Sequence, residues 1–293
     1  MEKEADVRRL YRYISATAAA LIFGATLGAG PCDALTSLKV FRGILVLEGK
    51  ILPGDYSTVL NFLSNESNFS KISGGVFLAS RGGHAVEAMK IGLLIRQLQL
   101  STDAPSTPPS DKRVFGSAAI SAADLVDRRE YLCTSACFFI YVAGIHRNLS
   151  GVGRLGIHQP ITEAESWISE DVVNRAKVGI RNEIKRYFEK MNVPEKYLDM
   201  MYSVPPNKVR WITQDEFDSD LKGYVPPIKE MIDAKCNPKA NEIKINLTEP
   251  PTITSGAQEK AISARQSDEI LQCARQVIAQ LPMEAWRKMF KSP

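Results

Sequence analysis

Hydrophobic residues in the first third of the chain form short apolar runs and helical repeats. Apolar runs at residues 40–47 and 76–79 are typical of buried strands, and residues 56–63 between them have helical spacing. A strand, a helix and a second strand in this order predict a βαβ unit with parallel pairing. Residues 85–97 then predict an amphipathic helix after the second strand.

The pattern becomes less regular after this helix. Residues 101–110, STDAPSTPPS, cannot continue a helix, and we expect an exposed loop there. Residues 113–129 are ambiguous: we expect a strand or an irregular segment near Val114 and Phe115, and a short helix at residues 122–126. The sequence also predicts helices at residues 169–191, 194–202 and 213–221.

The most distinctive stretch is YLCTSACFFIYVAGIHRNLSGVGRLGIHQP, residues 131–160. Ser135 begins an apolar run, residues 136–144, that predicts a buried helix. Unpaired N–H groups at a helix start can stabilise the oxyanion that forms when a serine attacks a carbonyl. A serine also needs a nearby base, and His158 lies on a strand-like apolar segment. The sequence therefore predicts a nucleophile and a base on neighbouring elements.

A structural interpretation of the same residues stays open. Ser135 can be a plain helix N-cap, and His158 can be a hydrogen-bonded core histidine. Gly82 and Gly83 lie between the predicted strand at 76–79 and its helix, where paired glycines let the backbone approach a ligand and direct N–H groups at it. A glycine pair alone is also typical of a tight turn.

Three segments taken together resemble a known family. They are the strand, Gly-Gly and helix; the Ser-Ala pair with its apolar helix and A-G-x-x-R; and G-x-H-Q-P. In this order and at comparable intervals they resemble the Clp protease proteolytic subunits, within the Clp/crotonase superfamily. The similarity covers residues 38–232, and the C-T-S-A-C context and the N-terminal leader resemble exported bacterial envelope members. The resemblance implies an α/β fold of the Clp/crotonase type, a ββα spiral with parallel sheets and outer helices.

The resemblance also implies roles for individual residues. Ser135 corresponds to the nucleophile and His158 to the general base. Gly82 or Gly83, with the backbone N–H of Ala136, corresponds to the oxyanion hole.

This sequence departs from the family's pattern at the third member of the triad, which is an acid in the family. Its position falls on or near Lys208 or Val209, and the nearest hydrogen-bonding candidate is Asn207, with Asp199 and Asp215 as alternatives. Asparagine can orient an imidazole, but it does not stabilise an imidazolium as a carboxylate does. We therefore expect weak or absent activity if no carboxylate takes this place.

The N-terminal residues predict export. Three arginines within residues 8–12 precede an uncharged run, residues 13–32, in the order of a secretory signal with cleavage after Ala34. The alternative is an uncleaved membrane anchor, which would associate the protein with the inner membrane. We expect residues 35–232 to form the Clp/crotonase-like domain, and residues 233–293 a linker and a C-terminal helical tail, with the helix at 262–281.

The composition limits which partners, crosslinks and cofactors we expect. The chain has 293 residues and a formal charge of +4, which is small for this length and does not argue for nucleic acid. Five cysteines fit an exported protein, and we predict disulfides between Cys236 and Cys273 and between Cys133 and Cys137. No cysteine pair combines the tight ligand spacing of a zinc site with a histidine partner. We expect neither a metal nor a cofactor.

These expectations favour an exported serine peptidase that acts on peptides or unfolded proteins, in the periplasm or at the inner membrane, and forms homo-oligomers as the resemblance implies. One alternative is a non-catalytic module that keeps the fold for assembly or peptide binding, which the missing acid supports. Another is a crotonase-type enzyme acting on an acyl thioester. The serine, the H-Q-P segment and export argue against the acyl-thioester enzyme.

Overall fold

The computed structural model describes residues 35, 37–105, 112–115, 118–121, 132–150, 154–160, 169–236 and 256–291. It is a mixed α/β structure in which helices accompany a six-stranded mixed sheet, a three-stranded sheet and a two-stranded hairpin. The predicted leader, the predicted helix at 122–126 and residues 237–255 of the predicted linker at 237–256 lie outside the described residues.

The strands are β1 Ser37–Phe41, β2 Ile44–Glu48, β3 Val76–Ala79, β4 Thr102–Pro105, β5 Lys112–Phe115, β6 Ala118–Ser121, β7 Cys133–Thr134, β8 His146–Ser150, β9 Leu155–Ile157, β10 Arg210–Trp211 and β11 Gly223–Tyr224. The helices are α1 Asp55–Ser64, α2 Glu66–Phe69, α3 Ala85–Gln97, α4 Ala136–Val142, α5 Glu170–Lys190, α6 Lys196–Ser203, α7 Gln214–Glu216, α8 Pro226–Cys236 and α9 Gly256–Phe290. A π-helical turn, Phe217–Leu221, follows α7.

The large sheet has the strand order β1-β2-β3-β4-β8-β11. Its four inner strands are parallel, and β1 and β11 are antiparallel edge strands. The predicted parallel pairing of residues 45–48 with 76–79 is confirmed. Residues 40–47, predicted as one strand, instead belong to two antiparallel strands, because Arg42 and Gly43 both have positive φ and form a tight turn.

Strand β4 corrects the predicted loop at residues 101–110. Thr102–Pro105 pairs in parallel with both β3 and β8, and Thr102 is almost fully buried. The buried hydroxyl of Thr102 donates to the carbonyl of Tyr141 at 2.7 Å, so this polar group is hydrogen-bonded in the interior. Pro105 is the last residue of the strand. Near Val114 and Phe115 the predicted strand is confirmed as β5.

Helix α4 lies at the centre of the core. All seven of its residues are buried, as the apolar run predicted. Its end is held by arginines: Arg96 Nε donates to Ala143 O at 2.6 Å, and Arg147 Nη2 donates to Val142 O at 2.6 Å. Cations at a helix C-terminus complement its partial negative charge.

The C-terminal helix packs into the same core. Trp286 is 2% exposed, its Nε1 donates to Leu63 O at 2.7 Å, and its ring stacks on Phe69. The predicted disulfide between Cys236 and Cys273 is confirmed and joins α8 to α9. Contacts group Ala34–Pro293 into one unit, and the expected domain boundary at residue 232 falls inside α8. The contacts of Trp286 and the disulfide thus hold α9 against other described parts of the chain.

None of the helices within the described segments combines the length and the hydropathy that a membrane crossing requires.

Helix α7 begins with a reciprocal capping box. Thr213 Oγ1 accepts from the N–H of Glu216, and the Glu216 carboxylate accepts from the N–H of Thr213. The same carboxylate binds Arg210 through two nitrogens, at 3.1 and 2.5 Å. Arg210 belongs to β10, so this pair fixes the strand against the helix that follows it.

Replacing Trp286 with alanine should lower the free energy of unfolding by about 3–5 kcal/mol, because it removes a buried ring and the bond to Leu63 O. Urea denaturation of the protein measures the change. Met289→Ala, on the same helix but 39% exposed, is the matched control and should cost much less. A loss below about 1 kcal/mol for Trp286→Ala would contradict this packing.

The Arg210–Glu216 pair predicts a pH-dependent stability. The Arg210 hydrogen bonds lower the pKa of Glu216 to about 2 from its usual 4.5. Because the folded-state pKa is the lower one, the stabilisation is complete above pH 4.5 and is lost as the pH falls towards 2. The difference in unfolding free energy between wild type and Glu216→Gln should therefore be constant near neutral pH and shrink below 4.5.

Denaturant titrations of both proteins between pH 7 and pH 2.5 test this expectation. Glu230→Gln, an exposed position on α8, controls for the loss of one negative charge. A difference that stays unchanged down to pH 2.5 would show that Glu216 contributes no such linkage.

Candidate functional site

Ser135 lies at a sharp turn between strand β7 and helix α4. Its backbone has φ 56° and ψ −123°, a conformation that L-residues rarely adopt and that costs roughly 1–3 kcal/mol. Hydrogen bonds hold the turn: Thr134 N donates to Ser80 O at 3.1 Å, and Ser135 N donates to Gly156 O at 3.0 Å. The serine side chain remains partly exposed.

Gly82 is packed against this turn. A Cβ added at Gly82 would lie 2.6 Å from the Cβ of Ser135 and 2.7 Å from the carbonyl oxygen of Thr134. No side chain fits there, so the glycine is required by the close approach of the two backbones. Gly83 is similarly restricted, because its added Cβ would lie 2.1 Å from the carbonyl oxygen of Ile51.

The two glycines differ in what their N–H groups do. Gly82 N donates to Ser80 Oγ at 3.0 Å. Within the described residues, the N–H groups of Gly83 and Ala136 have no hydrogen-bond acceptor, and Gly83 is exposed. Gly83 and Ala136 are therefore the available donors of the predicted oxyanion hole. Since α4 has only seven residues, these individual N–H groups matter more than its helix dipole.

His158 directly follows strand β9, which pairs in parallel with β7. In this register Thr134 is opposite Gly156, so Ser135 and His158 both come at the carboxyl ends of adjacent parallel strands. His158 Nδ1 lies 2.8 Å from the carbonyl oxygen of Gln159. Because a carbonyl only accepts, Nδ1 carries the proton and Nε2 is left as the acceptor.

No hydrogen bond joins the hydroxyl of Ser135 to His158 within the part of the chain that the structure describes. Catalytic hydrogen bonds in ligand-free enzymes are often long and shorten only in the complex with substrate. The backbone thus brings the serine and the histidine to one edge without closing their contact.

Of the three candidates for the third triad position, none binds His158 in the described region. Asn207 is exposed in the loop between α6 and β10. Asp199 pairs with Arg181 at 2.7 Å, and Asp215 is exposed on α7. The group that does bind the Nδ1 atom of His158 is the backbone carbonyl of Gln159.

Strand β10 passes beside the histidine. It pairs antiparallel to β9 with Arg210 opposite Ile157, and continuing this register places Val209 opposite His158. The Val209 side chain packs over Gly156, where an added Cβ would lie 2.5 Å from Val209 Cγ1. Val209, one of the two residues on or near which the resemblance puts the family's acid, therefore lies beside the histidine.

A disulfide between Cys133 and Cys137 spans the serine turn, as predicted. Both cysteines are fully buried, one in β7 and the other in the first turn of α4. The covalent link closes a short loop across Ser135 and restrains the strained turn.

Several residues that position the site were missed from the sequence. Glu87 on α3 is buried, and its Oε2 accepts from the N–H groups of Gly54 and Tyr56 at 3.1 and 3.0 Å, which fixes the start of α1. His84 is the N-cap of α3, and its Nδ1 accepts from the N–H of Glu87. The Glu87 contacts link distant segments, and no local pattern signals them.

The described residues include no group of three or more histidine, cysteine or acidic side chains arranged to hold a metal ion. A scan of known protein-family models finds none that matches this chain, and a search of curated proteins finds no significant match.

Proposed function

We propose that this protein is a serine peptidase of the Clp-like type, with Ser135 as nucleophile and His158 as general base. The observation that carries the proposal is the Ser135 backbone, at φ 56° and ψ −123° between a buried strand and a buried helix. Strain of this kind persists where the surrounding structure enforces it, and it is concentrated at functional sites. Here Gly82, Gly156 and the Cys133–Cys137 disulfide enforce it.

The capping interpretation of Ser135 lacks its expected contact. A helix N-cap serine accepts a hydrogen bond from the backbone of the first turn. The Ser135 side chain makes no such bond to α4. A hydroxyl that is held in a strained turn but does not cap its helix is better explained as a reacting group.

The proposed mechanism uses the atoms of the site directly. His158 Nε2 takes the proton from Ser135 Oγ as that oxygen bonds to the substrate carbonyl carbon. The oxyanion accepts hydrogen bonds from Gly83 N–H and Ala136 N–H. His158 then gives the proton to the leaving amine as the peptide bond breaks, and water releases the acyl group by the reverse sequence.

The group that orients His158 limits the rate of the proposed reaction. The Gln159 carbonyl fixes the tautomer of His158 through the 2.8 Å bond to Nδ1. It carries no full negative charge, so it stabilises the imidazolium less than a carboxylate does. We therefore propose a slower enzyme than one with a complete Ser-His-Asp triad.

The Clp/crotonase architecture is also part of the proposal. Its support is the run of parallel strands β2, β3, β4 and β8, with a second small sheet of β7, β9 and β10 that carries the serine and the histidine. Extended peptides or unfolded proteins are the proposed substrates, pairing as a strand beside the glycine segment. The proposal also includes homo-oligomerisation, and export with residues 1–34 as the leader.

A non-catalytic peptide-binding module is the second candidate. The specific observation in its favour is that valine, rather than an acid, lies opposite His158. Such a module would keep the fold and the substrate edge without an activated serine.

Labelling with a fluorophosphonate probe separates the two candidates. The wild-type protein should react covalently, Ser135→Ala should abolish labelling, and His158→Ala should slow it at least about 100-fold because the general base is lost. Ser203→Ala, an exposed serine at the end of α6, is the matched control and should label normally. Absence of labelling in wild-type protein with native circular dichroism would reject the peptidase and favour the binding module.

Restoring a carboxylate beside His158 should increase activity. Val209→Asp should raise the labelling rate at least about tenfold, since a carboxylate there can stabilise the imidazolium. Val209→Asn has nearly the same size without the charge and should give a much smaller gain. The gain of Val209→Asp should disappear in the double variant with His158→Ala. Equal rates for the aspartate and asparagine variants would show that the missing charge does not limit the reaction.

A further inference from the structure

Strand β10 lies on the far side of His158 from the glycine segment, residues 80–83. An isolated bridge between Ser80 and Cys133 puts that segment beside β7, and the sheet order β7, β9, β10 continues from there. The order across the site is therefore the glycine segment, Ser135, His158 and β10. In the proposed reaction the oxyanion donors hold the acyl part of the substrate and His158 protonates the leaving amine. Strand β10 is thus next to the leaving part of the substrate.

The small sheet has one face in the core and one face that carries the catalytic histidine. Leu155 and Ile157 of β9 are fully buried. Because side chains alternate along a strand, Arg154, Gly156 and His158 belong to the opposite face. The hydrogen bonds agree with this alternation, since the carbonyls of Arg154 and Gly156 accept from β7 and from the serine turn.

Val209 and Trp211 form an apolar surface on the same face as His158. A Cβ added at Gly156 would lie 2.5 Å from Val209 Cγ1 and 3.2 Å from Trp211 Cε3, so both side chains lie over this glycine. Val209 is 40% exposed and Trp211 is 42% exposed. Since Val209 is opposite His158 in the register, the apolar surface is continuous with the proposed catalytic site.

Arg154 adds a positive charge to this surface. Its guanidinium carbon lies 5.7 Å from the centre of the Trp211 ring, in a cation–π contact. Among the described residues no carboxylate pairs with Arg154, and its side chain is only partly buried. A guanidinium can stack on a ring and still bind a carboxylate through two parallel hydrogen bonds. Tryptophan and arginine are also the residues that most often dominate the energetics of protein interfaces.

We propose that Arg154, Val209 and Trp211 bind the leaving side of a peptide substrate, and that they select an apolar side chain with a carboxylate next to it. The apolar side chain packs on Trp211 and Val209, and Arg154 binds the carboxylate. This carboxylate belongs to an acidic side chain or to the free C-terminus of the peptide. The inference rests on the proposed peptide site at Ser135 and His158, to which it gives a substrate preference.

Peptide binding to the uncleaving variant Ser135→Ala tests the preference, measured by fluorescence anisotropy. Four peptides carry an N-terminal fluorophore and differ only at their C-terminal ends. One ends in phenylalanine and glutamate with an amidated terminus, and one in phenylalanine with a free carboxylate. The third replaces glutamate of the first peptide with glutamine, and the fourth replaces its phenylalanine with serine.

At least one of the two peptides that carry both the ring and the carboxylate should bind at least about tenfold tighter than the glutamine and serine peptides. Which of the two binds more tightly identifies the source of the carboxylate. Equal binding of the glutamine peptide or of the serine peptide would overturn the proposal, and so would the absence of measurable binding by all four.

Variants in the Ser135→Ala background locate the binding. Arg154→Gln should reduce the affinity of the carboxylate peptides to that of the glutamine peptide, and Trp211→Gln should reduce it to that of the serine peptide. Arg42→Gln is the matched control, because Arg42 also stacks on an aromatic ring, that of Phe41, but at the turn between β1 and β2. If both surface variants keep the original affinities while their circular dichroism is native, the peptides bind elsewhere and the assignment fails.

Fluorophosphonate labelling reports on the peptidase separately, because that probe carries no peptide. Labelling of the wild type without a peptide preference would reject this inference and retain the peptidase. A peptide preference without labelling would retain the recognition surface and reject the peptidase.

Discussion

The close approach of the backbone at Gly82 to the turn at Ser135 is the constraint on which the site depends. It requires a residue without a side chain three positions after the end of β3, and it places β7 directly beside that end, where Ser80 and Cys133 form an isolated bridge. The large sheet and the small sheet are joined at this point. Because Ser135 N binds Gly156 O, the same constraint fixes β9 and so the position of His158.

Helix α4 connects the turn at Ser135 to the core. Its beginning is tied to β7 by the Cys133–Cys137 disulfide, and its end is bound by Arg96 and Arg147. Burying Arg147 and partly burying Arg96 is costly, and the carbonyl groups at the helix end offset part of that cost. The buried hydroxyl of Tyr141 has no hydrogen-bond partner among the described residues, so the orientation of α4 depends on the disulfide and on the bonds that its backbone carbonyls accept.

The sequence predicted elements whose signal is local. The apolar runs that form β3 and α4 were predicted correctly. In both, the hydrophobic pattern of a few consecutive residues matches their burial in the structure. Strand β4 was missed because its burial comes from neighbours distant in sequence and from the bond between Thr102 and a helix carbonyl. The group that orients His158 could not be predicted from the sequence either, because a backbone carbonyl has no sequence signature.

The bond from Trp286 to Leu63 also has a consequence for biosynthesis. Its two groups are 223 positions apart, and the indole fills a place in the core beside Phe69. A ribosome makes roughly 5–20 residues each second, so helix α1 is complete at least about ten seconds before its indole partner exists. Until then an apolar surface stays open on the nascent chain, and the fold reaches its final packing only when nearly the whole polypeptide has been synthesised.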